Sequence, residues 1–183
     1  MPQIKVLSVD PSSFRNMGCA VAVITSEADE EIECEIAANT FVMHGTADES
    51  WTCLWPLFNI VDHLIASHEP DVVIIEKTSS FSPRSGAGFI TGQVSNCIGV
   101  ILACCGKHEV DVEFCYPTHI KKIVTGKGKA TKTEMRKNVI AILNQLKCSV
   151  TKFDSEHAYD AVANILTFMH ECKDINFTIE RPK

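Results

Sequence analysis

Four residues of types that bind metal ions or move protons stand where an isolated charge is costly. Asp10 closes the first apolar strand, Glu76 closes the most apolar one, and His157 and Asp160 lie in the last predicted helix. A buried carboxylate destabilises a fold unless it is paired, protonated or bound to metal. Carboxylates that converge repel one another unless cations neutralise them. We therefore expect an oxygen-rich site for Mg²⁺ or Mn²⁺, where two ions would clamp both sides of a phosphodiester displacement.

Each of these residues also has a structural interpretation that the sequence leaves open. Asp10 precedes a proline and would cap the turn there, and Glu76 would form an ion pair with Lys77 or another neighbour. His157 and Asp160 are three residues apart on one helix face and would make only a local contact. The combination favours one shared site over four separate local roles. The two strand-end residues and the helical pair are far apart in the sequence, and they can converge only when the fold brings two strand ends and a helix together.

A basic segment is the second feature with chemical potential. Seven of the chain's 17 Lys and Arg residues lie within positions 119 to 137, opposed there only by Glu134. The whole chain has a formal net charge of −6, so contact with nucleic acid must depend on a local basic surface. Residues 126–129 alternate glycine with lysine and predict a flexible loop that contacts phosphates, with a solvated helix face as the alternative. The motif GxxxxGK[ST] does not fit these glycines.

Apolar spacing predicts the elements that must position these residues. Apolar patterns predict five strands, at 4–9, 18–25, 32–42, 72–75 and 110–115. The first three form an antiparallel meander, and the fourth is a continuous apolar run that is expected to be fully buried. Helical spacing predicts four helices, at about 50–67, 89–105, 131–146 and 155–170. The helix at 89–105 is apolar nearly all round and is expected to be buried. This order describes an α/β fold, a mixed five-stranded sheet with helices on its faces.

Length and composition limit the class of protein. The 183 residues, 45% hydrophobic and 22% charged, are typical of one globular domain that spans residues 1–183. No apolar run reaches the ~18 residues of a membrane span, and the first residues lack the apolar stretch of a signal peptide. Nine cysteines without a CxxC pair indicate reduced thiols and therefore a cytoplasmic protein. We expect neither a membrane protein nor a secreted one.

Five blocks of sequence, in order, resemble those of RuvC-type Holliday junction resolvases. They run from about residue 4 to residue 170 and comprise 9–12, 70–76, 92–100, 120–132 and 157–163. Each block is common by itself, but five in order with compatible spacing make a specific match. The resemblance implies an RNase H-like fold and a homodimer that cleaves four-way DNA junctions with a divalent metal.

The resemblance also implies roles for individual residues. It implies a metal site made of Asp10, Glu76, His157 and Asp160. Among the lysines of the basic segment, Lys121 and Lys132 match family positions used for DNA binding and cleavage, and we expect further DNA contacts from Lys122, Lys127 and Lys129. Phe81 is similar to an aromatic residue that enters the centre of the junction, although packing within its own loop is the alternative.

The resemblance completes the functional prediction. The helix at 89–105 resembles the dimer contact, because Gly92 and Gly99 let two copies approach closely. We therefore predict an endodeoxyribonuclease of a bacterial or phage-infected cell that resolves four-way junctions by paired nicks with 5′-phosphate and 3′-hydroxyl ends. Two alternatives remain open: a broader nuclease acting on flaps, forks or RNA–DNA hybrids, and a catalytically inactive module that only binds junctions.

Overall fold

Eleven helices and strands make up the described part of this computed structural model. The structure describes residues 3–11, 16–26, 32–43, 52–77, 87–146, 148–151, 153, 155–173, 175 and 177–179, with only the backbone at 87–91. The elements are β1 (Gln3–Asp10), β2 (Asn16–Thr25), β3 (Glu33–Val42), α1 (Leu54–His68), β4 (Val72–Glu76), α2 (Ala87–His108), β5 (Asp111–Cys115), α3 (Pro117–Thr125), α4 (Lys132–Gln145), β6 (Ser149–Val150) and α5 (Glu156–Glu171).

A six-stranded mixed sheet in the order β5-β4-β1-β2-β3-β6 forms the centre of the fold. β1, β2 and β3 form the predicted antiparallel meander. β4 runs parallel to β1, and β5 runs parallel to β4. Helices α1 and α2 cover one face of the sheet, and α3, α4 and α5 cover the other. β4 is covered on both faces, which explains why its sequence is a continuous apolar run.

Alternation along the central strands divides their side chains between two cores. Leu7 and Val9 of β1 pack with α1 and α2, whereas Val6 packs on the opposite face with α5. β4 follows the same parity, since its even-numbered apolar residues join the core on the α5 side. The parity therefore places Asp10 and Glu76, the last residues of the two strands, on the side of α5.

Two short elements were not predicted from the sequence. β6 has two residues, pairs with β3 in parallel, and corrects the predicted five strands to six. Two residues are too few to show an alternating pattern. α3 lies where no helix was predicted; Pro117 begins it, and Gly126 ends it with a left-handed φ of 79°. The basic segment is therefore partly helical, and only a short turn at 126–131 separates α3 from α4.

Within one protomer, helix α2 is buried on one side only, and burial of its other side by a second copy stays a prediction. Cys97, Ile101 and Cys104 pack into the core shared with α1. The outward face is exposed and carries mainly small residues: Gly92, Ser95, Asn96, Gly99, Leu102, Ala103 and Gly106. Glycine and alanine count as apolar in a sequence pattern but do not require burial, so the pattern does not distinguish this exposed face from a buried one. No helix in the described part of the chain is long and apolar enough to cross a membrane.

Candidate active site

The carboxyl ends of β1 and β4 place two acidic side chains side by side. The parallel register aligns Val9 with Ile75, so the next residues along, Asp10 and Glu76, are neighbours. The Asp10 side chain is only 6% exposed. Its Oδ2 atom has no hydrogen-bond partner among the described residues. A buried carboxylate oxygen in this state favours an environment that supplies positive charge.

The first turn of α5 brings two further candidate ligands to the same place. Nδ1 of His157 lies 3.5 Å from Oδ2 of Asp10, an ion-pair distance that is too long for a good hydrogen bond. Ligand atoms of Asp10, His157 and Asp160 all lie within 4.8 Å of one another. Glu76 is not part of this closest group, although it is adjacent to it in the sheet. The structure thus brings together Asp10, His157 and Asp160 and places Glu76 on the neighbouring strand.

The start of α5 is anchored to the sheet by its cap. The Ser155 hydroxyl accepts a hydrogen bond from the backbone N–H of Ala158 at 3.1 Å and so caps the helix. The same hydroxyl contacts the Thr40 hydroxyl on β3 through a second hydrogen bond. Because the cap is tied to a strand, the first turn of α5 has a fixed position over the sheet.

Gly18 is a positioning residue that the sequence analysis did not single out. It pairs with Asp10 across the β1–β2 ladder, directly beneath the start of α5. A Cβ atom at position 18 would lie 2.0 Å from the backbone oxygen of His157, so any other residue would push α5 away from the acidic site. The available signal was a glycine at the first residue of the predicted strand; the structure places it inside β2, where glycine often marks a close backbone approach.

The acidic side chains destabilise one another's charges. The pKa of Glu76 is raised to about 8, first by burial and then by the nearby Asp10 and Asp160, whereas Lys121 and Lys132 oppose this effect. Burial, followed by Asp10, raises the pKa of Asp160 to about 6. Carboxyl groups that retain protons near neutral pH indicate a site with too little positive charge.

His157 is shifted toward its charged form, whereas the carboxyl groups of Glu76 and Asp160 are shifted toward their neutral forms. Its pKa is raised, chiefly by its interaction with Asp10, and burial only partly opposes this effect. The imidazolium therefore supplies some positive charge to Asp10 when no other cation is present. Three carboxylates with one imidazole suit Mg²⁺ or Mn²⁺, which prefer oxygen ligands.

Two of the five predicted DNA-contacting lysines lie close to the acidic site. Lys121 of α3 and Lys132 of α4 both act electrostatically on Glu76. Lys132 also pairs with Glu156 at 2.7 Å, across the gap between α4 and α5.

The other predicted DNA-contacting residues are less informative. Lys127 pairs with Glu134 at 3.2 Å, and Glu134 also completes a capping box with Thr131 at the start of α4. Lys122 and Lys129 are exposed. Phe81 lies outside the described residues. The structure therefore distinguishes Lys121 and Lys132, beside the acidic site, from the remaining lysines of the segment.

Comparison with solved structures identifies the fold. The structure titled "Thermus thermophilus RuvC structure" superposes with a TM-score of 0.66 at 19% identity, covering 90% of this chain and 92% of that one. A second structure, titled "T. thermophilus RuvC in complex with Holliday junction substrate", gives a TM-score of 0.67 at 14% identity with the same coverage. With its mixed sheet and the helices on both faces, this protein has the RNase H-like fold of these structures.

Sequence comparison identifies the family within that fold class. The family described as "Crossover junction endodeoxyribonuclease RuvC" matches residues 6–168. A curated relative of that name from Mycobacterium sp. (strain KMS) is 31% identical over 156 residues, which is 85% of this chain and 78% of the relative. The chain therefore belongs to the RuvC family of crossover junction endodeoxyribonucleases, as the resemblance of the five sequence blocks implied.

Proposed function

We propose that this chain resolves four-way DNA junctions by hydrolysing one phosphodiester bond in each of two strands. The observation that carries the proposal is the convergence of Asp10, His157 and Asp160 at the end of the sheet, next to Glu76. The junction complex of the Thermus thermophilus relative supports the choice of substrate. The basic side chains of α3 and α4 beside the acidic site support a polyanionic ligand.

We propose that Asp10, Glu76, His157 and Asp160 hold two Mg²⁺ or Mn²⁺ ions. The side chains fit such ions because an oxygen of Asp10 is buried without a hydrogen-bond partner in the described part of the chain. They also fit because two of the carboxyl groups have raised pKa values, which neighbouring positive charge would lower. When bound, divalent ions would activate a water molecule and neutralise charge on the reacting phosphate.

The protein's own residues orient the substrate and manage protons. Asp10 is held rigidly by the β1–β2 and β1–β4 ladders and fixes where the reacting phosphate must lie. Glu76 and Asp160 lose their protons as the site fills, and His157 must be neutral to act as a ligand. Hydrolysis forms a bond from water oxygen to phosphorus and breaks the bond from phosphorus to the 3′-oxygen, which takes up a proton. The products are a 5′-phosphate and a 3′-hydroxyl.

We propose that two copies of the chain act together. A junction must be cut at two symmetry-related points, which an isologous dimer presents at a fixed separation. The exposed face of α2 is suited to self-association because a Cβ atom at Gly92 or Gly99 would meet no other atom within 4 Å. A second helix would therefore approach this face closely without steric conflict within the protomer.

We propose that residues 1–183 form one nuclease domain, since both cores are built on the same sheet. We also propose that the protein acts in the cytoplasm of a bacterial or phage-infected cell. Its nine free cysteines, seven of them buried, support a reducing environment.

Cleavage of labelled DNA tests the proposed function. The chain is incubated with Mg²⁺ and a four-way junction, a fork, a duplex or an RNA–DNA hybrid. We expect paired nicks in the junction, and we expect Asp10→Asn to abolish cleavage while junction binding is retained or tightened, because a negative charge is removed from the path of the phosphate. The matched control is Asp111→Asn, an exposed residue at the start of β5, at the opposite end of the sheet.

Each result distinguishes the candidate functions. Equal cleavage of forks or hybrids would identify the broader nuclease, and binding without cleavage would identify the inactive module. If Asp10→Asn cuts at the rate of the unmodified protein, the proposed site is wrong.

A further inference from the structure

A small pocket lies between the first turns of α4 and α5, on the flank of the acidic site. It has a volume of about 160 Å³, and its lining includes Lys132, Arg136, Tyr159 and Asp160. Because Asp160 also belongs to the acidic group, the pocket opens next to the place where a scissile phosphate would lie. The pocket is therefore positioned to receive a second group of the same DNA strand.

Arg136 is held in this pocket by an aromatic ring. Its guanidinium carbon lies 4.9 Å from the centre of the Tyr159 ring. The ring is nearly buried and packs edge-on against Phe153, with 4.7 Å between the ring centres. A cation–π contact of this kind uses none of the five N–H donors of the guanidinium in a hydrogen bond, so they can still bind an anion. No carboxylate of the described residues forms an ion pair with Arg136.

Lys132 provides the pocket's second positive charge and has an internal partner. Its Nζ atom lies 2.7 Å from a carboxylate oxygen of Glu156, and the side chains of both residues are more than half exposed. An exposed ion pair of this kind contributes little to stability, so an incoming phosphate would displace Glu156 at small cost. Glu156, which also lines the pocket, thereby neutralises Lys132 in the free protein and would move aside when a phosphate binds.

We propose that this pocket binds the phosphodiester group next to the scissile one, with Arg136 as its main hydrogen-bond donor. A guanidinium fork matches two phosphate oxygens, and the nearest anion to the reacting phosphate is its neighbour on the same strand. The proposal rests on the proposed function, since it presumes that DNA is cleaved at the acidic site. It adds Arg136, the arginine of the basic segment, to the lysines predicted to contact DNA.

Salt dependence of junction binding tests whether Arg136 contacts a phosphate. Equilibrium binding is measured in EDTA over a range of salt concentrations for the unmodified protein and Arg136→Gln. We expect Arg136→Gln to bind roughly tenfold more weakly, about 1.4 kcal/mol. The slope of log affinity against log salt should fall in magnitude by about 0.9, the value for one phosphate.

Lys173→Gln is the matched control, since it removes the same charge. Lys173 is exposed just beyond the far end of α5, about 24 Å along that helix from the site. This distance exceeds the Debye length of about 10 Å in 0.1 M salt, so the control should leave the slope unchanged. Equal melting temperatures for the two variants would show that neither is misfolded.

A neutral phosphate analogue tests which phosphate Arg136 contacts. After the cleavage site is mapped, a methylphosphonate replaces each flanking phosphate in turn. At the contacted position, the difference between the unmodified protein and Arg136→Gln should disappear, and elsewhere it should persist. Arg136→Lys should be intermediate, because it keeps the charge and loses the planar fork.

The possible results distinguish failure of the phosphate pocket from failure of the proposed nuclease function. A slope for Arg136→Gln equal to that of the unmodified protein would overturn the pocket alone, provided that the unmodified protein cleaves the junction. A deficit that persists with every methylphosphonate next to the cleavage site would also overturn it. Failure of the unmodified protein to bind or cleave junctions would overturn both the proposed function and the pocket.

Discussion

Replacing Glu76 by glutamine gives the most direct physical test of the acidic site. In the metal-free protein the pKa of this carboxyl is raised from 4.5 to about 8, first by burial and then by Asp10 and Asp160. Unfolding exposes the group and returns its pKa to 4.5. Between these two values the folded chain keeps a proton that the unfolded chain has lost. The free energy of unfolding of the metal-free protein therefore falls as the pH rises through this window.

The size of the effect follows from the number of protons involved. A difference of one proton changes the free energy of unfolding by about 1.4 kcal/mol per pH unit, so Glu76 costs about 2.5 kcal/mol between pH 5 and pH 7. In a chain of this length that corresponds to roughly 5–10 °C in melting temperature. Glutamine at position 76 is neutral at every pH, so the variant should lack this loss. Asp160 acts in the same direction in both proteins and cancels in the comparison.

Thermal unfolding in EDTA at several pH values measures the difference. We expect similar melting temperatures for the unmodified protein and Glu76→Gln near pH 5, and a gap that widens in favour of the variant up to about pH 8. Mg²⁺ should narrow the gap, because it binds the charged carboxylate and not the amide. Glu33→Gln, at an exposed position at the start of β3, is the control. If the two profiles stay parallel with pH, Glu76 is not buried among the other carboxylates, and the argument for the site fails.

Substitutions at three further residues test separate parts of the proposal. Activity should fall as the pH is lowered through the raised pKa of His157, because the imidazolium cannot act as a ligand; His157→Asp should retain activity and move this limb of the pH–rate profile to lower pH. Full activity of His157→Ala at all pH values would make the residue structural. Lys121→Gln should reduce the magnitude of the salt slope of junction binding by about 0.9, and an unchanged slope with slower cleavage would place this lysine at the reacting phosphate instead. Gly99→Glu should raise the melting temperature of the protomer, because glycine is a poor helix former and its surroundings are open. The same substitution should weaken the dimer in sedimentation, and the variant should release nicked circles from a cruciform plasmid. A stable dimer that linearises the plasmid directly would exclude this face of α2 from the interface.

Local signals in the sequence determined most of the elements and the chemical character of the site. Alternating or continuously apolar runs marked β1, β2 and β3: β3 packs one face against a core, whereas β1 and β2 are buried on both faces. The abrupt end of an apolar run at Glu76, and the three-residue spacing of His157 and Asp160, marked the positions where charge needs a partner. Each of these signals depends on residues close together in the chain, which is why the sequence alone shows them.

Only the tertiary structure decided how these residues meet. β1 lies beside β4, although β2, β3 and α1 intervene in the chain, and this pairing is what makes Asp10 and Glu76 neighbours. The close approach of α5 depends on Gly18, and the pocket at Arg136 depends on the packing of α4 against α5. Such contacts follow from the free energy of burying both faces of the sheet at once, to which residues from the whole chain contribute. No short stretch of sequence determines this total free energy. The sequence could therefore indicate which acidic residues form the site but not the distances between them.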